Sequence, residues 1–254
     1  HGPQGSRGAV ASGLPVGVHP PTPTCKAPHM RIGVIGGSGP AGSALAARLA
    51  SVGYESVIGS RSKYRAMETR DDFVERFPDI EDRLTYGDNA AAADCDLVVI
   101  ATPWDSAATM AQTHSSYLRG KIVVSMANAL VRVGKEFQPL LPPRGSVAAH
   151  VQAAVPDSKV VAAFHHLPAT ELGHLGDPID SDVLICGDDP AAVRTLFEIV
   201  SHVPGCRPLD AGELSNAMAI EAFTAVLLQL NVRYKTRVAP KIAGIKGDPR
   251  AVAS

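Results

Sequence analysis

Arg31-Ile32-Gly33-Val34-Ile35-Gly36-Gly37-Ser38-Gly39-Pro40-Ala41-Gly42 is the stretch on which the fold turns. Ile32, Val34 and Ile35 read as a short buried strand, the glycines as a tight turn, and Pro40 onward as the start of a helix. Gly37, Gly39 and Gly42 spell G-x-G-x-x-G, the pattern in which a strand passes through a glycine turn into a helix N-terminus that faces a pyrophosphate. One glycine permits the turn, one lets the backbone approach the phosphates, and the third lets helix and strand pack closely. Three such glycines arise easily by chance. Here they follow an apolar strand and precede a helical apolar stripe of Leu45, Leu49 and Val52, the context the pattern requires.

Working outward, strands and helices alternate. Ser56–Ile58 reads as a second strand ending at Gly59-Ser60-Arg61, followed by a helix around Lys63–Phe73. Leu84–Tyr86 reads as a short strand, Ala90–Ala93 as a small helix, and Asp96–Ala101 as a strongly buried strand. Thr102-Pro103-Trp104 turns into a helix near 105–117, and Lys121–Ser125 is the next strand. This spacing predicts an α/β fold with a Rossmann-type, doubly wound parallel sheet. The rhythm then loosens into a helix over Arg144–Ala154, strands at Val160–Phe164 and Val183–Cys186, and a helix capped by Asp188-Asp189-Pro190 that stops near Pro204-Gly205. A long, mostly apolar helix runs from about Asp210 to Tyr234. The expected organisation is a nucleotide-binding domain over 30–150 and a smaller C-terminal α/β part over 151–254 that ends with this helix. Residues 1–29, rich in glycine and proline and without a period, read as a disordered leader or an extension.

Composition narrows the function. The chain has 254 residues, 45% hydrophobic and 19% charged, with a net charge of −1, which is ordinary for a globular protein and offers nothing to nucleic acid or an anionic membrane. No apolar run approaches the roughly 20 residues of a membrane span. The four cysteines (Cys25, Cys95, Cys186 and Cys206) are scattered, which fits a reducing compartment, the cytoplasm, and neither a disulfide framework nor a zinc site.

The end of the second strand selects the nucleotide. NAD-binding versions of this fold carry an acid there for the ribose 2′-hydroxyl. This chain carries Ser60 and Arg61, with Lys63 and Arg65 just beyond, and a hydroxyl beside guanidinium groups suits the 2′-phosphate of NADP(H). The other reading has Arg61 and Arg65 solvating a helix N-terminus, where the dipole disfavours cations.

With Gly36-Gly37-Ser38-Gly39, Gly42, Gly59-Ser60-Arg61 and Pro103-Trp104 in hand, the chain resembles the NADPH-dependent reductases of coenzyme F420, an 8-hydroxy-5-deazaflavin hydride carrier. Further matches are Ala163-Phe164-His165-His166-Leu167-Pro168-Ala169, Cys186-Gly187-Asp188-Asp189 and Arg207-Pro208-Leu209-Asp210-Ala211-Gly212 with Leu214-Ser215-Asn216. The resemblance runs from about Arg31 to Asn231. It implies reversible hydride transfer between NADPH and the deazaflavin, with both coenzymes bound and no catalytic side chain needed, because the task is to hold two rings together. It implies that Ser38, Gly39, Pro40 and Ala41 wrap the pyrophosphate alongside Gly37 and Gly42, and that Ser60, Arg61 and Arg65 hold the 2′-phosphate. By the same resemblance Thr102 and Ser106 flank the nucleotide, Ala169 lies by the nicotinamide, and the deazaflavin meets His165 and the Met126–Ala129 loop. Asn128, at the cleft edge of a strand, is open to contact with either ring. On residues alone the His165–His166 pair reads as structural rather than as a pocket, the resemblance reverses this for His165, and without a third ligand the pair makes no metal site. Trp104 reads as packing or as a cofactor contact, and Cys186 as a small core residue.

Two alternatives share the scaffold. One is another NADP-dependent dehydrogenase or imine reductase, although the hydroxyacid enzymes place a catalytic lysine in the long helix, and Ala211–Arg233 contains none. The other is an NADP-sensing protein without turnover. The apolar last helix is expected to be buried in a core or against a second copy in a homodimer.

Overall fold

A computed structural model describes residues Met30–Ile245, so the expected disordered leader or extension over 1–29 and the last residues lie outside the described residues. In chain order the elements begin β1 (Arg31–Ile35), α1 (Pro40–Ser51), β2 (Glu55–Ser60), α2 (Lys63–Arg76), β3 (Leu84–Asp88), α3 (Asn89–Ala93) and β4 (Leu97–Ile100). They continue with α4 (Trp104–Thr113), α5 (Ser115–Leu118), β5 (Ile122–Ser125), β6 (Leu130–Val133), β7 (Glu136–Pro139), α6 (Val147–Ala154), β8 (Lys159–Ala162) and α7 (Ala169–Gly173). The last are β9 (Ser181–Gly187), α8 (Pro190–His202), β10 (Cys206–Asp210) and α9 (Ala217–Tyr234).

Eight strands form one sheet in the order β10-β9-β8-β5-β4-β1-β2-β3, with β6 and β7 a separate hairpin. Pairing is parallel throughout the eight-stranded sheet except between β8 and β9, where Val161 opposes Gly187 and Ala162 opposes Cys186 in antiparallel register. The fold is thus Rossmann-like, as expected. The C-terminal strands extend the first sheet, and α6 runs across residue 150.

Both faces of the sheet are covered, which is why its strands are apolar runs rather than alternating ones. Along β4, Leu97 and Val99 enter the core with Leu45, Leu49 and Phe197 from α1 and α8, while Val98 and Ile100 enter the opposite core with Ala107, Val147 and Val151 from α4 and α6. A fully buried leucine such as Leu45 or Leu49 contributes about 2 kcal/mol. Gly33 is needed on the second face, since a Cβ there would stand 1.8 Å from the Ala92 carbonyl oxygen of α3.

Caps end the helices where the sequence provides them. Ser62, Asp88, Ser146 and Asp189 each accept a hydrogen bond from the backbone N–H three residues on, at 3.3, 2.8, 3.0 and 2.8 Å. Pro190 follows Asp189 at the first position of α8. Asp188 instead accepts from Leu214 N–H at 2.9 Å and ties β9 to the approach of α9.

The structure departs from the sequence pattern in four places. The helix after Trp104 breaks at His114 into α4 and α5. The strand placed over 160–164 stops at Ala162, because Phe164 adopts a left-handed backbone (φ 67°) and turns the chain. The last helix starts at Ala217, since Asp210 belongs to β10, a strand the apolar count missed because Arg207 and Pro208 interrupt it. The β6–β7 hairpin is half-buried or exposed throughout and carries no strong apolar signal.

Parallel β1, β2, β4, β5 and β8 all end at one edge of the sheet, at Ile35, Ser60, Ile100, Ser125 and Ala162. Strand order reverses between β1 and β4 at that edge, the place where open α/β sheets bind ligands.

Candidate active site

The glycine turn is built by four glycines with separate tasks. Gly36 takes the left-handed backbone (φ 75°) that makes the turn, a task the G-x-G-x-x-G count assigns to one of its own glycines. Gly37 N–H donates to the carbonyls of Val34 (3.1 Å) and Gly59 (2.8 Å), and a Cβ there would meet the Val34 oxygen at 2.7 Å. At Gly42 a Cβ would stand 2.9 Å from the Ala101 Cβ and 3.0 Å from the Gly37 Cα, so this glycine sets the approach of α1 to the sheet. Gly39 is the unobstructed one: its nearest neighbour would be the Gly36 oxygen at 3.6 Å.

Two cavities flank the first turn of α1. The first, about 700 Å³, is lined by Gly36, Ser38, Gly39, Ser60, Arg61, Ser62, Arg65, Asn89, Ala101, Thr102, Pro103, Ser106 and Met110. It contains seven of the residues singled out from sequence: Ser38, Gly39, Ser60, Arg61, Arg65, Thr102 and Ser106. Gly37 and Gly42 lie buried behind it and Pro40 is exposed beside it. No carboxylate lines it among the described residues, and Arg61 and Arg65 flank the capped N-terminus of α2. That is a phosphate environment: guanidinium donors, a helix N-terminus and hydroxyls. Ser38 Oγ and Ser60 Oγ are 3.0 Å apart, and Ser62 N–H donates to Ser60 Oγ at 3.3 Å. Thr102 Oγ1 is buried with no hydrogen-bond partner among the described residues, an orphan hydroxyl in the wall of this cavity.

Asn89 and Ser62 also line this cavity and were not anticipated. Asn89 Oδ1 accepts from Gly36 N–H at 3.3 Å and so braces the turn from α3. Its position 53 residues further along the chain carries no motif. Trp104 lines neither cavity and packs against the second core. Cys186 is buried, and burial pushes its thiol up to about 12, so it serves as a small apolar group.

The second cavity, about 400 Å³, joins Ala41, Met126, Asn128, His165 and Ala169 from the sequence expectations with Phe164, His166, Leu167, Thr224, Leu228, Asn231 and Arg237, among others. Burial lowers both imidazoles, His165 to about 3, with His166 adding to the effect, and His166 to about 4. Both are therefore neutral at pH 7. Neither nitrogen of His165 has a partner among the described residues. His166 Nδ1 lies 3.2 Å from Thr224 Oγ1, and Thr224 Oγ1 donates to Asn128 Oδ1 at 3.1 Å. Among the described residues no group of His, Cys, Asp and Glu could hold a metal ion.

Two buried ionisable side chains brace this cavity's walls. Arg48 of α1 is 1% exposed and donates to five carbonyls: Leu172 from Nε, Leu175 and Asp177 from Nη1, Glu171 and His174 from Nη2. It thereby fastens α7 and the loop after it to α1. Glu221 of α9, 3% exposed, accepts from Val147 N–H (2.8 Å) and Ala148 N–H (3.0 Å) at the start of α6. Its desolvation outweighs those two bonds and raises the carboxyl to about 7.

The sequence pattern of the family described as NADP oxidoreductase, coenzyme F420-dependent, matches residues 31–129. The chain is 35% identical over 213 residues to the F420-dependent NADP reductase of Methanocaldococcus jannaschii, covering 82% of this chain and 95% of that one. It is 28% identical over 219 residues to the enzyme of the same name from Methanothermobacter marburgensis, again covering 82% and 95%. Among solved structures, one from Arthrobacter sp. FB24, described as a candidate F420-dependent NADP reductase, superposes with a TM-score of 0.69 at 25% identity, covering 83% of this chain and all of that one.

Proposed function

The chain belongs to the F420-dependent NADP reductase family, and on that premise we propose that it passes a hydride reversibly between NADPH and the deazaflavin coenzyme F420. The nicotinamide and the deazaflavin supply the chemistry when bound, C4 of one exchanging hydride with C5 of the other. The protein's residues bind, orient and exclude water. The single observation that carries this reading is the pair of cavities on either side of α1, one lined by Arg61, Arg65 and hydroxyls without a carboxylate, the other by the neutral imidazoles of His165 and His166 with apolar and amide side chains.

In this reading Ser60, Arg61 and Arg65 hold the 2′-phosphate, while Ser38, Gly39, Pro40 and Ala41 follow the pyrophosphate, with Gly37 and Gly42 shaping the turn. Thr102 and Ser106 flank the nucleotide. Ala41, which borders the second cavity, marks where the nucleotide passes toward Ala169, and Asn128 and His165 meet the deazaflavin. The nucleotide part spans 30–150 and the remainder completes the acceptor cleft. Direct transfer asks for proximity and alignment, so no side chain need act as acid, base or nucleophile. The rival dehydrogenases with a lysine in the long helix are not favoured, since α9 contains none.

Mixing the protein with NADPH and oxidised deazaflavin should bleach the deazaflavin chromophore. Turnover of small carbonyl or imine compounds without bleaching would replace this reading with another dehydrogenase, and NADPH binding without turnover would leave a sensor.

We further propose a homodimer. Phe223, Val226 and Tyr234 lie exposed on one face of α9, with Met218 and Val232 exposed at its other sides and Val131 and Val133 of the β6–β7 hairpin also exposed. A monomer by light scattering at micromolar concentration would remove that idea. Unpaired Cys95, Cys186 and Cys206 support a reducing compartment, the cytoplasm. No helix among the described residues is long and apolar enough to cross a membrane.

A further inference from the structure

A hydrogen-bond relay runs through the second cavity, and its direction follows from its ends. A backbone carbonyl can only accept. The His165 carbonyl faces the Asn128 side chain at 3.2 Å, so the atom opposite it is the amide Nδ2, which donates. Asn128 therefore turns Oδ1 toward Thr224, and the Thr224 hydroxyl donates to it over 3.1 Å. A hydroxyl has one hydrogen. With that hydrogen committed, Thr224 Oγ1 accepts from His166 Nδ1, 3.2 Å away. His166 is thus the Nδ1–H tautomer, and Nε2 carries the lone pair.

Nε2 of His166 is buried and has no donor among the described residues, although the side chain is 6% exposed and lines the cavity. Phe223 braces the ring edge-on, with 5.7 Å between centroids and 81° between planes. His165 beside it has no such fixed polarity, because neither of its ring nitrogens is partnered.

We infer that His166 is a specificity-determining acceptor: its Nε2 takes a hydrogen bond from a ring N–H of the deazaflavin, and the Asn128–Thr224 relay holds it in that polarity. The inference rests on the deazaflavin assignment above. Burial keeps the imidazole uncharged, its pKa lowered to about 4, so the lone pair is free to accept at neutral pH. A buried acceptor left unpaired is costly, and a ligand N–H relieves that cost. A ligand presenting a carbonyl at the same point would face a second lone pair and be rejected, which is how a polar site discriminates between rings of equal size.

Protein labelled with nitrogen-15 in histidine, observed by long-range proton–nitrogen correlation, tests this directly. In the free protein at pH 7, Nδ1 of His166 should resonate as the protonated nitrogen and Nε2 as the bare one. Adding oxidised deazaflavin without nicotinamide should shift Nε2 and leave Nδ1 protonated. An Nε2–H tautomer, or an unmoved Nε2 signal with the deazaflavin bound, would overturn the inference while leaving the enzyme assignment standing. Failure of NADPH to bleach the deazaflavin would overturn both. His166→Phe should raise the KM for deazaflavin about ten-fold while the KM for NADPH stays unchanged. Thr224→Val should give mixed tautomers and a smaller rise. If His166→Phe does not fold, the spectra of the wild-type protein decide.

Discussion

The hydroxyls of Ser38 and Ser60 stand 3.0 Å apart, joining the glycine turn after β1 to the end of β2. This contact fixes the end of β2 relative to the glycine turn, the two segments to which we assign the 2′-phosphate and the pyrophosphate. Arg61, next in the chain, is exposed and lines the first cavity, so its removal should disturb packing little. Arg61→Ala should weaken NADPH binding by about 1.5–3 kcal/mol, the range for hydrogen bonds to a charged group. NADH, which lacks the phosphate, should bind unchanged. Calorimetric titration of both nucleotides measures the difference, and equal losses would contradict the assignment.

Gly42 offers a test of geometry rather than charge. An alanine Cβ would crowd the Ala101 Cβ at 2.9 Å and the Gly37 Cα at 3.0 Å, and both lie in the turn or the strand end beside the first cavity. Gly42→Ala should cost about 1–3 kcal/mol of stability, as overpacking does. NADPH affinity should fall as the turn shifts. Urea denaturation and nucleotide titration on the same variant separate the two effects.

Arg48→Met should cost at least ~3 kcal/mol, because five carbonyls lose their donor and the buried ones cannot all reach water. The loss should be felt locally before globally. Leu172 N–H, which donates to the Pro168 carbonyl at 3.0 Å, should exchange with solvent faster in the variant. Hydride transfer should slow with it if Ala169 borders the nicotinamide.

Stability should depend on pH through three buried groups with opposed signs. Glu221 is raised from 4.5 to about 7, so its contribution is complete below pH 4.5 and is lost as pH rises to 7, by up to ~3 kcal/mol. His165 and His166 are lowered from 6.5 to about 3 and about 4, so their contribution is complete above pH 6.5 and is lost as pH falls. Two histidines outweigh one glutamate below 6.5, and the glutamate alone acts above it, which puts maximum stability near pH 6.5. Glu221→Gln, though less stable because one helix N–H loses its acceptor, should be flat from pH 6.5 to 8. Chemical denaturation at several pH values reads both curves.

The parts legible in the sequence are those whose chemistry is local. Ser60-Arg61 and the glycine turn occupy short segments, so residue types at close spacing predict a phosphate site without tertiary information. Within the turn, the count of G-x-G-x-x-G mistook which glycine bends the chain, because the bend falls on Gly36, one position before the triplet. Asn89 and Thr224 could not be found this way. Each acts on a residue far along the chain (Gly36 for one, Asn128 and His166 for the other), and nothing in the flanking sequence marks a polar group that will be buried beside them. The strand that ends at Ala162 rather than Phe164 was illegible for a related reason, since apolar residues continue through a turn that only the backbone at Phe164 reveals.

The two cavities also differ in how much of the chain they need. The first is lined by residues from Gly36 to Met110, the second by residues from Ala41 to Val238. As the polypeptide leaves the ribosome, every residue lining the first is present long before the second has its last wall. The first cavity's lining is thus complete in sequence before the later strands β5, β8, β9 and β10 have been made. Loss of the end of α9 or of the segment after it would spare every wall of the first cavity and open the second, which takes Leu227, Leu228, Asn231, Arg237 and Val238 from there.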